Sequence, residues 1–67
     1  MKLVFIATIN EAKQGIVDNG GEPNVIVMSS HTKKIMDVGD SICGLLVKVD
    51  DLLGEQVLVR HEPFRNT

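Results

Sequence analysis

The side chains best suited to chemistry are concentrated in the segment "SSHTKK" at residues 29–34. Ser29, Ser30, His31 and Lys33 follow an apolar run and stand where a helix is expected to begin. Backbone N–H groups and the helix dipole favour an anion at such a place, so these four residues form a candidate site for a phosphate or carboxylate, as in a small ligand-binding or regulatory domain. Serines at helix starts more often cap the helix itself, and this remains the alternative.

The other residue types that bind metals or act as nucleophiles form no recognisable pattern. His31 and His61 are the only histidines, and no ligand spacing links them to the carboxylates of the chain. Cys43, the only cysteine, lies in an apolar run without a basic neighbour, which favours packing over nucleophilic attack. We therefore expect no catalytic residue, metal or cofactor, and a protein that is not an enzyme.

Composition argues against nucleic acid as a partner. The chain has 67 residues and a net charge of -2, and Phe5 and Phe64 are its only aromatic residues. Binding to phosphate backbones depends on clustered lysine and arginine, and binding to single strands depends on aromatic rings that stack on bases. Neither feature is present in the sequence.

The apolar start of the chain, "MKLVFIATI", does not predict a membrane partner. The run is too short to cross a bilayer, and no small-residue cleavage site of a signal peptide follows it. A single cysteine excludes an intramolecular disulfide and fits a reducing compartment. We expect a cytoplasmic protein.

The first half of the chain predicts a strand, a helix and a second strand. Residues 2–8, "KLVFIAT", are apolar on both alternating faces, as in a strand covered on both sides. Thr8 and Glu11 have the spacing of a capping box, which predicts a helix from Ile9. Glycines in "NGG" at residues 19–21 would end that helix.

The second half predicts another helix and two more strands. The apolar run "NVIVMSS" is followed by a helix over "HTKKIMDV", which Gly39 would stop. The segments "ICGLLVKVDD" and "EQVLVRHE" alternate in polarity, as in a hairpin or adjacent antiparallel strands.

The expected architecture is a single α/β or α+β domain over residues 1–67, in the order β-α-β-α-β-β. It would be a small two-layer sandwich, with a mixed sheet and two short helices. Two strands joined through a helix should lie parallel. A mixed sheet leaves an edge strand open, and such an edge can pair with another chain. We therefore expect a homo-oligomer or a protein partner.

Three segments carry a resemblance to a known family. "NVIVMSS", "KKIM" and "LLGEQVLVRHEPF" occupy places similar to those of a strand, a helix and a later strand in the central region of tailed-phage major capsid proteins. The resemblance spans residues 9–64 and implies a structural, self-associating protein in the host cytoplasm or the virion. The chain would be a separated or miniature form of one capsid subdomain, or an unrelated small phage protein that converged on the same pattern.

Overall fold

A computed structural model describes residues 2–63; Phe64, the last residue of the capsid resemblance, lies outside that range. Two helices and four strands form a small α+β domain with a mixed sheet, which confirms the predicted fold class. The elements are α1 (Lys2–Asp18), β1 (Val25–Met28), α2 (Ser30–Ile35), β2 (Ser41–Ile42), β3 (Leu45–Val49), a 3-10 helix (Asp51–Leu53) and β4 (Leu58–Arg60).

The predicted strand at residues 2–8 is wrong, because this segment forms the first half of α1. The Thr8 hydroxyl donates to the Val4 carbonyl at 2.9 Å within the helix, so Thr8 does not cap a helix start. A short apolar run does not distinguish a strand from a buried helix. Extending an existing helix needs no new nucleus, and Phe5 lies one turn before Ile9 on the same face.

The strands lie in the order β2-β3-β1-β4. β1 is parallel to β3, which confirms the parallel pairing expected of strands joined through a helix. The adjacent pairing predicted for the last two strands is wrong, since β1 lies between β3 and β4 and is antiparallel to β4. A central position buries all four residues of the apolar strand β1, and this favours the observed order.

The segment "ICGLLVKVDD" also differs from the prediction, because a tight turn divides it into β2 and β3. Cys43 and Gly44 occupy this turn with φ angles of 52° and 77°. Two consecutive positive φ angles are typical of the type I′ turns that connect short hairpins. Cys43 is half-buried and packs beside the core.

The hydrophobic core lies between α1 and one face of the sheet. Its fully buried side chains are Ile9 from α1 and Ile26, Met28 and Leu45 from the sheet. Ile9 is the one described side chain of α1 that is fully buried. Side chains alternate along a strand, so Val25 and Val27, which are also buried, point to the opposite face. Ile9 is therefore the most deeply buried contact of α1 with the sheet, Phe5 packs beside the same core, and the Lys13 ammonium donates to the Cys43 carbonyl at 2.5 Å.

Asp37, and not Gly39, provides the stop of α2. Asp37 has a φ angle of 53°, its N–H donates to the Lys34 carbonyl at 3.2 Å, and the Val38 N–H donates to the Lys33 carbonyl at 2.9 Å. This pair of bonds is the Schellman motif, in which a residue in the left-handed conformation follows the helix. Asparagine and aspartate tolerate this conformation better than most residues, which explains why the chain turns before Gly39.

Replacing Asp37 with glycine is expected to raise the free energy of unfolding by about 0.5 kcal/mol, because glycine has no Cβ to clash at positive φ. Urea denaturation followed by circular dichroism measures the change. Gly39→Ala is the control: its Cβ would meet open space, so it should cause no loss of stability. A stabilising effect confined to position 37 is expected, and a loss at position 39 would contradict it.

Candidate functional site

The residues predicted to bind an anion lie where β1 ends and α2 begins. Ser29 is buried and caps the helix: its hydroxyl oxygen accepts from the Thr32 N–H at 3.1 Å, and its O–H donates to the Thr32 hydroxyl at 3.0 Å. Both hydrogen-bonding functions of the Ser29 side chain are therefore used within the helix. The capping role is shown for this serine.

Ser30 holds an anion that belongs to the chain itself. Its backbone N–H and its hydroxyl each donate to Oδ1 of Asp51, at 2.7 Å in both cases. The hydrogen bond from the Ser30 hydroxyl, and then that from its N–H, lower the pKa of Asp51 below the ordinary value of 3.8. A carboxylate thus already occupies the start of α2, where the orientation of the peptide groups favours negative charge.

His31 and Lys33 contribute differently to this region. His31 is exposed and lies against a groove between the two helices. Lys33 is half-buried, and its backbone N–H donates to the Ser29 carbonyl at 3.0 Å within the first turn. The structure therefore brings Ser29 and Ser30 together at the helix start, whereas the described contacts of Lys33 there are made by its backbone.

Asp51 is the residue of this region that sequence reasoning missed, since its place after a β-rich run indicates only the end of a strand. Ser29 and Ser30 follow β1, and Asp51 follows β3. The carboxyl ends of parallel strands meet at one edge of a sheet. The predicted parallel pairing was therefore the signal that could have placed Asp51 near Ser29 and Ser30. The neighbouring Asp50 has a different role, because its Oδ1 accepts from the Leu52 N–H at 3.0 Å and caps the 3-10 helix.

Replacing Asp51 with asparagine is expected to lower stability at neutral pH. The pKa of Asp51 is depressed in the folded chain, so its contribution is present above the unfolded value of 3.8 and is lost as pH falls through the lower folded value. Thermal melts between neutral pH and strongly acidic pH should show a weaker acid dependence in Asp51→Asn than in the parent chain.

Asp40→Asn serves as the control, because the described part of the chain gives the Asp40 side chain no hydrogen bond. Asp40→Asn removes one exposed carboxylate and leaves the hydrogen bonds between Ser30 and Asp51 in place. The two variants should differ in melting temperature at pH 7 and converge in acid. If Asp51→Asn and Asp40→Asn melt alike at every pH, the carboxylate of Asp51 does not stabilise α2.

A groove with a volume of about 680 Å³ separates α1 from α2. Its lining is mainly apolar, with polar atoms supplied by residues such as His31 and Glu55. The apolar residues that line it include Val4, Phe5, Ile9, Ile35, Met36 and Val59. We call this surface the helix groove. Both helices therefore lie on the same face of the sheet, the face that also carries Ile26, the strand partner of Val59.

The opposite face of the sheet carries a charged cluster. Lys48 and Arg60 each contact the carboxylate of Glu62 at 2.5 Å. The hydrogen bond from Lys48 is the main reason why the pKa of Glu62 lies below its ordinary value of 4.5. Leu46 and Leu58 lie beside this cluster and are each 45% exposed. Two cations thus share one carboxylate, and the face retains positive charge.

Residues 2–63 contain no group of three or more histidine, cysteine, aspartate or glutamate side chains that could hold a metal ion. In the same range, neither helix combines the length and the apolar character needed to cross a membrane. The chain has no significant match to a protein-family model, a curated protein or a solved structure.

Proposed function

We propose that this chain is a non-enzymatic, self-associating interaction module. The proposal rests on one observation: among the described residues, more large apolar side chains are exposed to solvent than are buried in the core. Six apolar side chains are buried, whereas eight large ones are exposed, from 45% at Leu46 to 95% at Leu52. Single exposed apolar residues are ordinary, but a contiguous apolar surface is typical of a binding site.

The helix groove is the surface that best fits a partner. Val4 and Ile35 line it and are 70% and 60% exposed, and Leu3, next to Val4, is 83% exposed. An apolar groove between helices can accept the apolar face of another helix. The groove and the exposed start of α1 are adjacent on one chain, so two copies related by a two-fold axis can each place Leu3 and Val4 against the other's groove.

The opposite face of the sheet, which carries the charged cluster, is a poorer surface for self-association. In a face-to-face pair, Lys48 and Arg60 of one copy would approach the same cations of the other, with only one carboxylate per copy to compensate them. Like charges at such distances oppose association. We therefore assign the interface between copies to the helix groove.

The size of the chain supports association in general. A domain of this length buries only about 60% of the surface of its unfolded form, so its stability as a monomer is marginal. A standard interface buries about 800 Å² per partner, and this chain exposes 4896 Å² in total. Burying about one-sixth of that surface would therefore suffice for a stable pair.

Sedimentation velocity at micromolar concentration tests the proposal. The parent chain should form a defined oligomer, and Val4→Glu should shift it to monomer, because the charge would be buried in the interface. Leu52→Glu is the matched control: the residue is more exposed than Val4 but lies outside the lining of the helix groove. Circular dichroism verifies that both variants fold.

A parent chain that stays monomeric at the highest soluble concentration would contradict the proposal. Equal dissociation by Val4→Glu and Leu52→Glu would contradict the assignment to the helix groove. If the oligomer stays intact in Val4→Glu and is lost in Leu58→Glu, the interface lies on the opposite face of the sheet, beside the charged cluster.

The phage origin and the structural role in a virion or host cytoplasm rest on the resemblance to capsid proteins. Portal and tail genes next to the coding sequence would support that part of the proposal, and metabolic genes there would count against it. The alternative of an external anion near Ser30 stays a prediction; the Asp51 carboxylate, which already accepts two hydrogen bonds from Ser30, does not favour it.

A further inference from the structure

The end of α1 contains the dipeptide Asn19–Gly20, a pair with its own chemistry. Asn19 is exposed, and Gly20 has a φ angle of 84°. The Gly20 N–H donates to the Val17 carbonyl at 2.9 Å, and the Gly21 N–H donates to the Ile16 carbonyl at 2.9 Å. These bonds form a second Schellman motif, which closes the helix.

An asparagine followed by glycine can modify itself in water. The backbone nitrogen of Gly20 attacks Cγ of Asn19, a C–N bond forms, and the side-chain amide leaves as ammonia with the proton from the attacking nitrogen. Water then opens the resulting five-membered imide at either carbonyl and gives aspartate or isoaspartate. Glycine favours this reaction because it has no Cβ to hinder its nitrogen.

In the folded chain, both reacting groups are held by other partners. The attacking nitrogen of Gly20 donates its proton to Val17, as described above. The amide of Asn19 donates from Nδ2 to the Gly15 carbonyl at 2.8 Å. This bond directs the side chain back along the helix, whereas the Gly20 nitrogen lies after Asn19 in the chain. Attack requires both hydrogen bonds to open.

We propose that Asn19–Gly20 is a site of spontaneous deamidation whose rate is set by opening of the C-terminal end of α1. The cap keeps the pair unreactive while the helix end is closed. The product then weakens the same helix end. A carboxylate at position 19 cannot donate to the Gly15 carbonyl, and it adds negative charge next to Asp18 at the end where helix peptide groups disfavour it.

Peptide mapping by mass spectrometry, after incubation at mildly alkaline pH, tests this inference. The fraction of residue 19 converted to aspartate or isoaspartate is measured in native buffer and in denaturing urea. At least tenfold faster conversion is expected in urea, where the helix is absent. Equal rates in the two conditions would overturn the inference, as would the absence of conversion in urea.

Gly15→Ala provides the sharper comparison under native conditions. A Cβ at Gly15 would meet no atom within 4 Å, and alanine favours the helix without altering the carbonyl that accepts from Asn19. Conversion should slow by about two- to fivefold in native buffer and remain unchanged in urea. An equal rate in the parent and Gly15→Ala chains in native buffer would show that helix opening does not set the rate.

Asn19→Asp tests the consequence for the helix. Its melting temperature should fall below that of the parent chain, whereas Asn10→Asp, an exposed change in the middle of α1, should have a smaller effect. A melting temperature for Asn19→Asp equal to that of the parent would contradict the predicted weakening of the helix end.

Discussion

Replacing Ile9 with alanine is expected to lower the free energy of unfolding by about 3 kcal/mol. Ile9 is 1% exposed and packs against Ile26, Met28 and Leu45. The substitution removes buried methyl groups and leaves a cavity between α1 and the sheet. A domain of this size has only a few kcal/mol of stability, so most Ile9→Ala molecules should have α1 detached or the whole chain unfolded at room temperature.

Amide hydrogen exchange distinguishes local detachment of α1 from global unfolding. Loss of protection confined to residues 2–18 would mean that the helix separates while the sheet persists; a loss that includes β1 would mean global unfolding. Val17→Ala is the matched control, because it shortens an aliphatic side chain on the same helix that is 50% exposed. A loss of stability in Val17→Ala as large as that in Ile9→Ala would contradict the assigned role of Ile9.

Replacing Asn24 with alanine is expected to lower the free energy of unfolding by about 2 kcal/mol. Its side chain bonds both backbone groups of Glu62: Oδ1 accepts from the N–H at 2.8 Å, and Nδ2 donates to the carbonyl at 2.6 Å. The backbone carbonyl of Asn24 also accepts from the Leu46 N–H at 2.9 Å. Asn24 therefore links the chain beyond β4 to the start of β1, and alanine leaves two partly buried groups of Glu62 without their partner.

Asn24→Asp separates the two bonds. The aspartate carboxylate can still accept from the Glu62 N–H. Its other oxygen faces the Glu62 carbonyl oxygen and cannot donate to it, so the hydrogen bond made by the asparagine amide is lost. We expect Asn24→Asp to be destabilised as well, whereas Asn10→Ala, at an exposed helical position, should be neutral or slightly stabilised. Urea titrations of the three variants measure the differences, and unchanged stability in both Asn24 variants would contradict the link.

Much of the fold could be predicted from local signals. The end of α1 at "NGG", strand β1 and the serine cap of α2 each depend on residues close together in the sequence. The failures concern choices that local patterns do not decide. Residues 2–8 are apolar enough for a strand or a helix, and their packing through Phe5 beside the core favours the helix.

The candidate site shows the same division. The capping function of Ser29 follows from its position before a helix, but its neighbour Ser30 bonds Asp51, twenty-one residues further along the chain. That contact depends on which strands pair in the sheet. The pairing of β4 with β1 likewise depends on a competition between whole strands, because β3 and β4 have compatible patterns but β1 gains more burial between them.

The position of β4 beside β1 has a consequence for the order of events as the chain is made. Both neighbours of β1 follow it in the sequence, β3 (Leu45–Val49) first and β4 (Leu58–Arg60) later. Residues 2–49 contain both helices, β1 and the β2–β3 hairpin, so these elements can form while the edge of β1 that pairs with β4 is still unpaired. Nonlocal strand pairing of this kind slows folding, and a strand edge that is still unpaired is prone to misassembly with other incompletely folded copies.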